Sequence, residues 1–344
     1  MNNNVVGMIL AAGFGSRLQK LSQLRPKPLM ELFGKAILFH QIKMLEQAGI
    51  KDIFINLHYH HKQLIAAVHS WSLKSHIHFS FEKDILGTAG GIRQVIKLFQ
   101  LNNQAMIVLH GDMICDFDLK EIISPHAFCN LLIAQNKQTD GYRGAVSIDD
   151  NCRISELGAY YTSSLAKKKS GFFTGIHYIS AQALQLLKNE RFSCLVSEVY
   201  PSWLKSGKII LGDVRKINYE DLGTPLRLLK ANLDLCSSSS LFAKHSLQHH
   251  LKKIPGKNIF CGSDVQIDPT AQLIEPLIIA DRAKVKAHAI IGPNAIVGEN
   301  SYVGTHSTIK NSLIMSDTII EKDEELDCTI ALLKARVLVD DKLE

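Results

Sequence analysis

No run of about 18 apolar residues occurs in the chain, so the sequence offers no membrane-spanning helix. The first residues, Met1-Asn2-Asn3-Asn4, lack the positive charge that opens a secretory signal, and the apolar stretch behind them stops at Gly13. A cytoplasmic protein with no membrane partner is the expectation. C-x-x-C is missing too. The seven cysteines (115, 129, 152, 194, 236, 261, 328) are odd in number and widely spaced. That excludes a zinc ribbon or a disulfide framework and reads as reduced, mostly buried thiols. There is no G-x-x-x-x-G-K followed by Ser or Thr, so a Walker phosphate loop is excluded. Nor is there an aromatic-basic stripe. Lysine and arginine are scattered, with Lys167-Lys168-Lys169 the sole basic triplet, and nucleic acid is not an expected partner.

What is present suits a soluble enzyme. Apolar residues make up 46% and charged residues 21%, enough of both for a folded core and a solvated surface. A length of 344 residues suggests two domains. The excess of 39 Lys and Arg over 33 Asp and Glu would steer phosphorylated substrates. The adjacent histidines of His58-Tyr59-His60-His61 and His249-His250 lack partners at chelating spacing and read as loop or helix surface.

Along the chain, Val5 to Ala12 is an apolar run of strand length that enters the turn Gly13-Phe14-Gly15. Apolar positions 37, 38, 42, 45 and 48 repeat with helical spacing before Gly49, and Ile53 to Leu57 reads as the next strand. Leu64–Val68 reads as helix, Ile77–Phe81 as strand, Gly91–Phe99 as amphipathic helix and Met106–Leu109 as buried strand. Strands alternating with helices imply βαβ units, hence a Rossmann-like α/β domain around a mostly parallel sheet. Helical patterns return at Ala181–Leu187, Leu195–Ser206 and Leu226–Leu235.

Cys236-Ser237-Ser238-Ser239-Ser240 breaks the composition, and beyond it the period changes to six. Aliphatics recur at Ile267, Leu273, Ile279, Val285, Ile291, Val297, Val303 and Ile309. Small or aliphatic residues stand four places after each: Ala271, Leu277, Ala283, Ala289, Ala295, Ser301, Ser307 and Leu313. A sheet facing one core has period two, so this register specifies a left-handed parallel β-helix of hexapeptide repeats. The expected organisation is a catalytic domain over 1–235, a linker over 236–262 and the β-helix over 263–344. Ile278, Ile290, Ile296 and Ile314 then fall on outer faces that need a cover, either the catalytic domain or a neighbouring subunit, and a homo-oligomer through the β-helix is the expectation.

Two places carry chemistry. The turn Gly13–Arg17 offers backbone amides to an anion, and Arg17 and Lys27 add the full positive charge that a triphosphate requires. Asp112 lies beyond the fourth strand, at the sheet edge where ligands of open parallel sheets bind. Asp221 is either a second metal carboxylate or the cap of the helix that starts near Pro225.

The string Leu10-Ala11-Ala12-Gly13-Phe14-Gly15-Ser16-Arg17-Leu18, with Pro26-Lys27-Pro28-Leu29, resembles the signature of the sugar-1-phosphate nucleotidylyltransferases. Leu86-Gly87-Thr88-Ala89-Gly90-Gly91, Gly111-Asp112, Phe173-Thr174-Gly175-Ile176 and Asp221-Leu222-Gly223-Thr224-Pro225 match later blocks of that family in order. The likeness is greatest to mannose-1-phosphate guanylyltransferases, which share the hexapeptide β-helix. Asn56 and Cys115-Asp116-Phe117-Asp118 also resemble N-acetylmuramate-1-phosphate uridylyltransferases.

The resemblance implies nucleotidyl transfer from a nucleoside triphosphate to a sugar 1-phosphate, with GTP and mannose 1-phosphate the first choice. The alternatives are uridylyl or other transfer to N-acetylmuramate, heptose or glucose 1-phosphate, or a non-catalytic nucleotide-sugar-binding regulator. By the same likeness Leu10, Ala11, Ala12 and Gly13 line the nucleoside, and Gly15, Ser16, Arg17 and Lys27 hold the phosphates. Glu82, Gly87 and Thr88 touch the base, while Gly144, Glu156, Thr174, Gly175 and Glu198 face the sugar. Asp112 and Asp221 hold Mg²⁺, with Arg17, Lys27 and Asp112 the catalytic set. One position departs from the family: Leu157 stands where a lysine follows the glutamate, so Lys167, Lys168 or Lys169 is left to supply that charge.

Overall fold

The computed structural model describes residues 4–135, 145–188, 192–234 and 251–339. Gly144, His249-His250 and the serine run at 237–240 lie outside the described residues. The chain divides into two compact units. One is Met1–Phe14 with Leu38–Tyr219, and the other is Gly15–Ile37 with Glu220–Glu344.

The first unit is built on one sheet. Its parallel half contains β1 (Val5–Leu10), β2 (Asp52–Leu57), β3 (His76–Phe81) and β4 (Ala105–His110), in the order β3-β2-β1-β4. Central β1 pairs in parallel with both β2 and β4, so its face residues Met8 and Ile9 are fully buried and its sequence is continuously apolar. The helices α1 (Ile37–Gln47), α2 (His61–His69) and α3 (Gly87–Phe99) connect these strands. On α1 the apolar spacing buries Leu38, Ile42 and Leu45; on α3 it buries Ala89, Ile92 and Val95.

The rest of the sheet is antiparallel or mixed. It comprises β5 (Cys129–Ala134), β6 (Ala145–Ile148), β7 (Ile154–Leu157), β8 (Tyr161–Thr162), β9 (Lys169–Ile179) and β10 (Ile210–Arg215). The long strand β9 joins the halves, antiparallel to β4, β5 and β6, and β10 lies parallel on β5. A register shift between Phe173 and His177 puts a bulge at Thr174-Gly175, in mid-strand. Two short helices, α4 (Ala181–Leu184) and α5 (Tyr200–Lys205), complete this unit. The helical pattern at 195–206 resolves into a π-turn over Leu195–Val199 followed by α5. Leu157 is buried in the core and is not available as a surface cation would be.

The second unit is the parallel β-helix, with the loop-rich stretch Gly15–Ile37 and α6 (Pro225–Leu233) packed on it. Three parallel ladders stack through Ile259–Cys261, Gln266–Ile267 and Gln272–Leu273 and their successors. Ile279, Val285, Ile291, Val297, Val303 and Ile309 point into the prism and are buried, as the six-residue period requires. The unbroken hexad needs one correction. Val297 pairs with Ile314 and Ala295 with Ser312, so that rung is one residue shorter than the one before it. Ile314 is therefore a prism residue and not an outer one, and Leu313 joins the outer column Ile278-Ile296-Leu313-Ile330. The cover for that face is intramolecular: α6 packs across these ladders. Corners are taken by Asp264, Arg282, His288, Asn300, His306 and Asp317 in left-handed conformation, a backbone that Asn, Asp and His tolerate best.

Among the described residues the cysteines are all free, as expected, but only Cys115 and Cys129 are buried; Cys152 and Cys328 are exposed. No helix among the described residues is long and apolar enough to cross a membrane.

Asn232 ties α6 to the hairpin Glu31–Ala36. Its Nδ2 donates to Glu31 O at 3.0 Å and Leu228 O at 2.8 Å, and its Oδ1 accepts from Phe33 N at 3.0 Å. The side chain is fully buried. Asn232→Leu strands a buried N–H and a carbonyl and should cost ~2–4 kcal/mol, read as a lower unfolding midpoint of this unit in denaturant.

Candidate functional site

The first unit gathers its site residues at the carboxyl ends of the parallel strands. Ala11 follows β1, Asn56 sits near the end of β2, Glu82 follows β3 and Asp112 follows β4. A buried chain of hydrogen bonds joins three of these ends. Ala11 N donates to Asn56 Oδ1 at 2.7 Å, Asn56 Nδ2 donates to Glu82 Oε1 at 2.7 Å, and Leu86 N donates to Glu82 Oε2 at 2.9 Å. Glu82 is fully buried, and that burial raises its carboxyl above the usual range despite the two donors. The structure thus turns the Glu82 carboxylate inward, where it holds the Leu86–Thr88 turn from beneath. Gly91 explains itself here: a Cβ would come within 2.7 Å of both Asn56 Nδ2 and Glu82 Oε1. Sequence reading treated Asn56 only as a mark of likeness. Its role was hidden because only the fold brings it under Ala11.

The turn at Gly87-Thr88 is also clamped from the side. Ala89 N and Gly90 N donate to Ser193 O at 3.0 and 3.3 Å, Ser193 N donates to Leu86 O, and Leu195 N donates to Thr88 Oγ1 at 2.7 Å. Beside the clamp opens a cavity of about 270 Å³, lined by Ala89, Arg93, Ser193, Glu198, Trp203 and Lys208 among others. Glu198 lies in that wall, and its Oε2 accepts from Cys194 N at 3.2 Å.

Asp112 is half-buried in a turn that Gln41 secures, since Gln41 Nε2 donates to His110 O at 2.7 Å and to Met113 O at 2.8 Å. Gln41 is a second residue that sequence reading passed over; its signal was a polar side chain on the apolar stripe of α1. His110 lies against Phe173 and His177, and His177 reaches Tyr200 OH through Nδ1 at 2.5 Å. Burial, with His110 beside it, holds His177 well below the usual imidazole range, so it is neutral.

At the bulge of β9, Thr174 is buried and its Oγ1 donates to Leu132 O at 2.9 Å, supporting the distorted ladder from within; Gly175 adjoins it. Glu156 on β7 accepts from Ser147 Oγ at 2.9 Å and pairs with Lys167 at 2.8 Å. The Lys167 bond, then Ser147, draws its carboxyl below the usual range despite some burial. Lys167, which precedes β9, is thus the one of the three candidate lysines that stands beside Glu156.

In the second unit, Gly15 has φ 65, and a Cβ there would meet Lys27 Cβ at 2.9 Å. Glycine lets the turn lie against Lys27, which is buried, while Ser16 and Arg17 remain exposed. The Arg17 guanidinium lies over Gly223, next to Asp221. Asp221 Oδ1 accepts from Gly223 N at 2.8 Å, and its Oδ2 pairs with Arg227 at 2.7 Å. It does not cap α6. Thr224 does, its hydroxyl accepting from Arg227 N. No group of three or more His, Cys, Asp or Glu side chains suited to a metal exists among the described residues, His58–His61 included.

Comparison with known proteins agrees with this layout. Residues 6–238 match the family described as nucleotidyl transferase, and residues 273–337 match the GMPPB C-terminal domain. The chain is 24% identical over 272 residues to a mannose-1-phosphate guanyltransferase of Candida albicans, covering 78% of this chain and 72% of that one. It is 26% identical over 284 residues to the catalytic subunit beta of mannose-1-phosphate guanylyltransferase of Drosophila melanogaster, covering 80% and 72%. The solved structure of HddC from Yersinia pseudotuberculosis complexed with GMP-PN superposes with a TM-score of 0.56 at 23% identity, covering 67% of this chain and 98% of that one. That last likeness establishes the fold.

The Asn56–Glu82 pair has a pH signature. Glu82 binds its proton more tightly in the folded chain than in the unfolded one, so its contribution to stability is present below the unfolded value and lost as pH rises through the folded one. Asn56→Asp sets a second carboxylate against it and should steepen this loss. The variant should melt close to wild type near about pH 4 and progressively lower toward about pH 7, whereas Asn56→Ala should melt low throughout. Parallel melting curves for the two variants across that range would refute the pairing.

Proposed function

The chain belongs to the nucleotidyl transferase family, and from that premise we propose that it transfers guanylyl from GTP to mannose 1-phosphate, releasing pyrophosphate and GDP-mannose. The observation that carries the reading is the order of the signature blocks at the carboxyl edge of β1–β4, together with the relatives named for this reaction.

In the proposed reaction a phosphate oxygen of the sugar 1-phosphate attacks the α-phosphorus of the triphosphate. The bond from the α-phosphorus to the bridging oxygen breaks, and pyrophosphate leaves with its electron pair. The nucleophile is already anionic, so no general base is required. Positioning and charge do the work. Leu10, Ala11, Ala12 and Gly13 line the nucleoside. Gly87 and Thr88 meet the base on a turn whose shape Glu82 and Asn56 maintain. Gly15 and Ser16 offer backbone amides, and Arg17 and Lys27 neutralise the triphosphate and the departing pyrophosphate. Glu156 with Lys167, the Thr174-Gly175 bulge and Glu198 serve the sugar phosphate. Gly144 keeps the sugar assignment that the resemblance gives it.

The metal assigned to this chemistry is Mg²⁺. Asp112 and Asp221 are hard oxygen donors of the right kind, each in its own unit, and too few to form a site without phosphate and water. Asp221 would have to share its carboxylate with Arg227. When bound, the ion would supply charge neutralisation between phosphates.

A pyrophosphate-release screen of nucleoside triphosphates against sugar 1-phosphates tests the reading, with GTP and mannose 1-phosphate expected to be fastest. In the preferred pair, Arg17→Ala should lower turnover by about 10²–10³-fold, the usual cost of removing one preorganised charge, while Lys20→Ala stays near wild type. Equal, mild losses at both positions would make the turn merely structural. Asp112→Ala should lose most turnover yet melt like the parent.

A further inference from the structure

The segment that carries Lys27 is fastened by a residue almost three hundred positions further on. Lys27 sits in a tight 3-10 turn over Lys27–Leu29, with Lys27, Pro28, Leu29 and Met30 all buried. Arg25 and Glu31 flank the turn and form an ion pair. The Glu31 side chain is only 8% exposed, so its charge needs more partners than Arg25 alone. They come from a β-helix corner. Ser316 N and Ser316 Oγ each donate to Glu31 Oε2 at 2.9 Å, Ser316 N also reaches Oε1 at 3.2 Å, and Arg25 Nη2 donates to Ser316 O at 3.5 Å. The result is a closed ring, Arg25–Glu31–Ser316, with the Lys27 turn as the loop between its first two members.

We propose that Ser316 is a positioning residue for Lys27, so that the β-helix sets the geometry at the phosphate end of the site. This rests on the assignment of Lys27 to the triphosphate. The physical reason is the cost of a buried, unsatisfied carboxylate. Without the corner's N–H and hydroxyl, Glu31 would seek water or fold back on Arg25, and either motion shifts the turn that Lys27 occupies. Nearby, Asn232 and the Ile37 N–Met30 O bond at 2.9 Å fix the hairpin behind the turn. Only the ring reaches both ends of Arg25–Glu31.

The test uses the full chain as wild type, Ser316→Ala, Ser316→Thr and Glu31→Gln. Ser307→Ala is the control, since its Oγ donates to Gly304 O inside the prism and touches none of these residues. Two readouts are taken: amide exchange over residues 25–32, and KM and kcat for the triphosphate. Ser316→Ala and Glu31→Gln should exchange faster over 25–32 and raise KM for the triphosphate by about tenfold, the effect of one lost charge-assisted hydrogen bond. KM for the sugar phosphate should stay near wild type. Ser316→Thr should restore both readouts, and Ser307→Ala should match wild type in both even if it melts lower. If Ser316→Ala behaves like Ser307→Ala, the positioning role is overturned. If wild type turns over no nucleotide, the proposed function fails. The ring is then judged by exchange alone, and unchanged exchange in Ser316→Ala and Glu31→Gln would overturn it.

Discussion

One buried carboxylate organises the carboxyl ends of the parallel strands in the first unit. Glu82 has no access to water, yet it is held by Asn56 Nδ2 and by Leu86 N, and Asn56 in turn accepts from Ala11 N. Three strand ends that would otherwise vary independently are thereby reduced to one arrangement. Desolvating the carboxylate costs stability, and that cost is offset by the bonds from buried Asn56 and from Leu86 N. Gly91 follows from the same constraint, since any side chain there would displace the pair.

The second unit uses the complementary strategy. Its carboxylates are paired with cations instead, Asp221 with Arg227 and Glu31 with Arg25, which Ser316 joins, while Arg17 lies exposed over Gly223 and Lys27 is buried.

Much of this was legible in the sequence. The parallel half of the sheet announced itself through apolar runs of strand length alternating with helical spacing, and the prism residues of the β-helix through their six-residue period. What could not be read depended on registers that local patterns do not encode. The short rung after Ile309 was invisible because Leu313 is aliphatic at the place where a hexad expects one, so the pattern looked continuous. The helix against the strands of Ile296 and Leu313 proved to be α6, which the sequence located without showing which surface it would meet. That the Thr174 hydroxyl donates to Leu132 O at the β9 bulge could not be read either, since no local pattern names that partner. Glu82 and Asn56 were both noticed, each alone; that they meet is a property of the sheet.

The pairing of Glu31 with Ser316 spans 285 positions. Consequently the order of synthesis matters to this chain. The turn that carries Lys27 leaves the ribosome well before the corner that satisfies Glu31, 285 positions further on. A nascent chain can assemble β1 through β4 long before the Arg25–Glu31 segment has its partner, and until then the Glu31 carboxylate and its neighbours Pro28, Leu29 and Met30 have no settled place. Contacts this distant in sequence close late and slowly. The protein should therefore pass through a stage in which the sheet is complete and the Lys27 turn is not. Unfinished chains would then hold a folded core beside an unsettled turn.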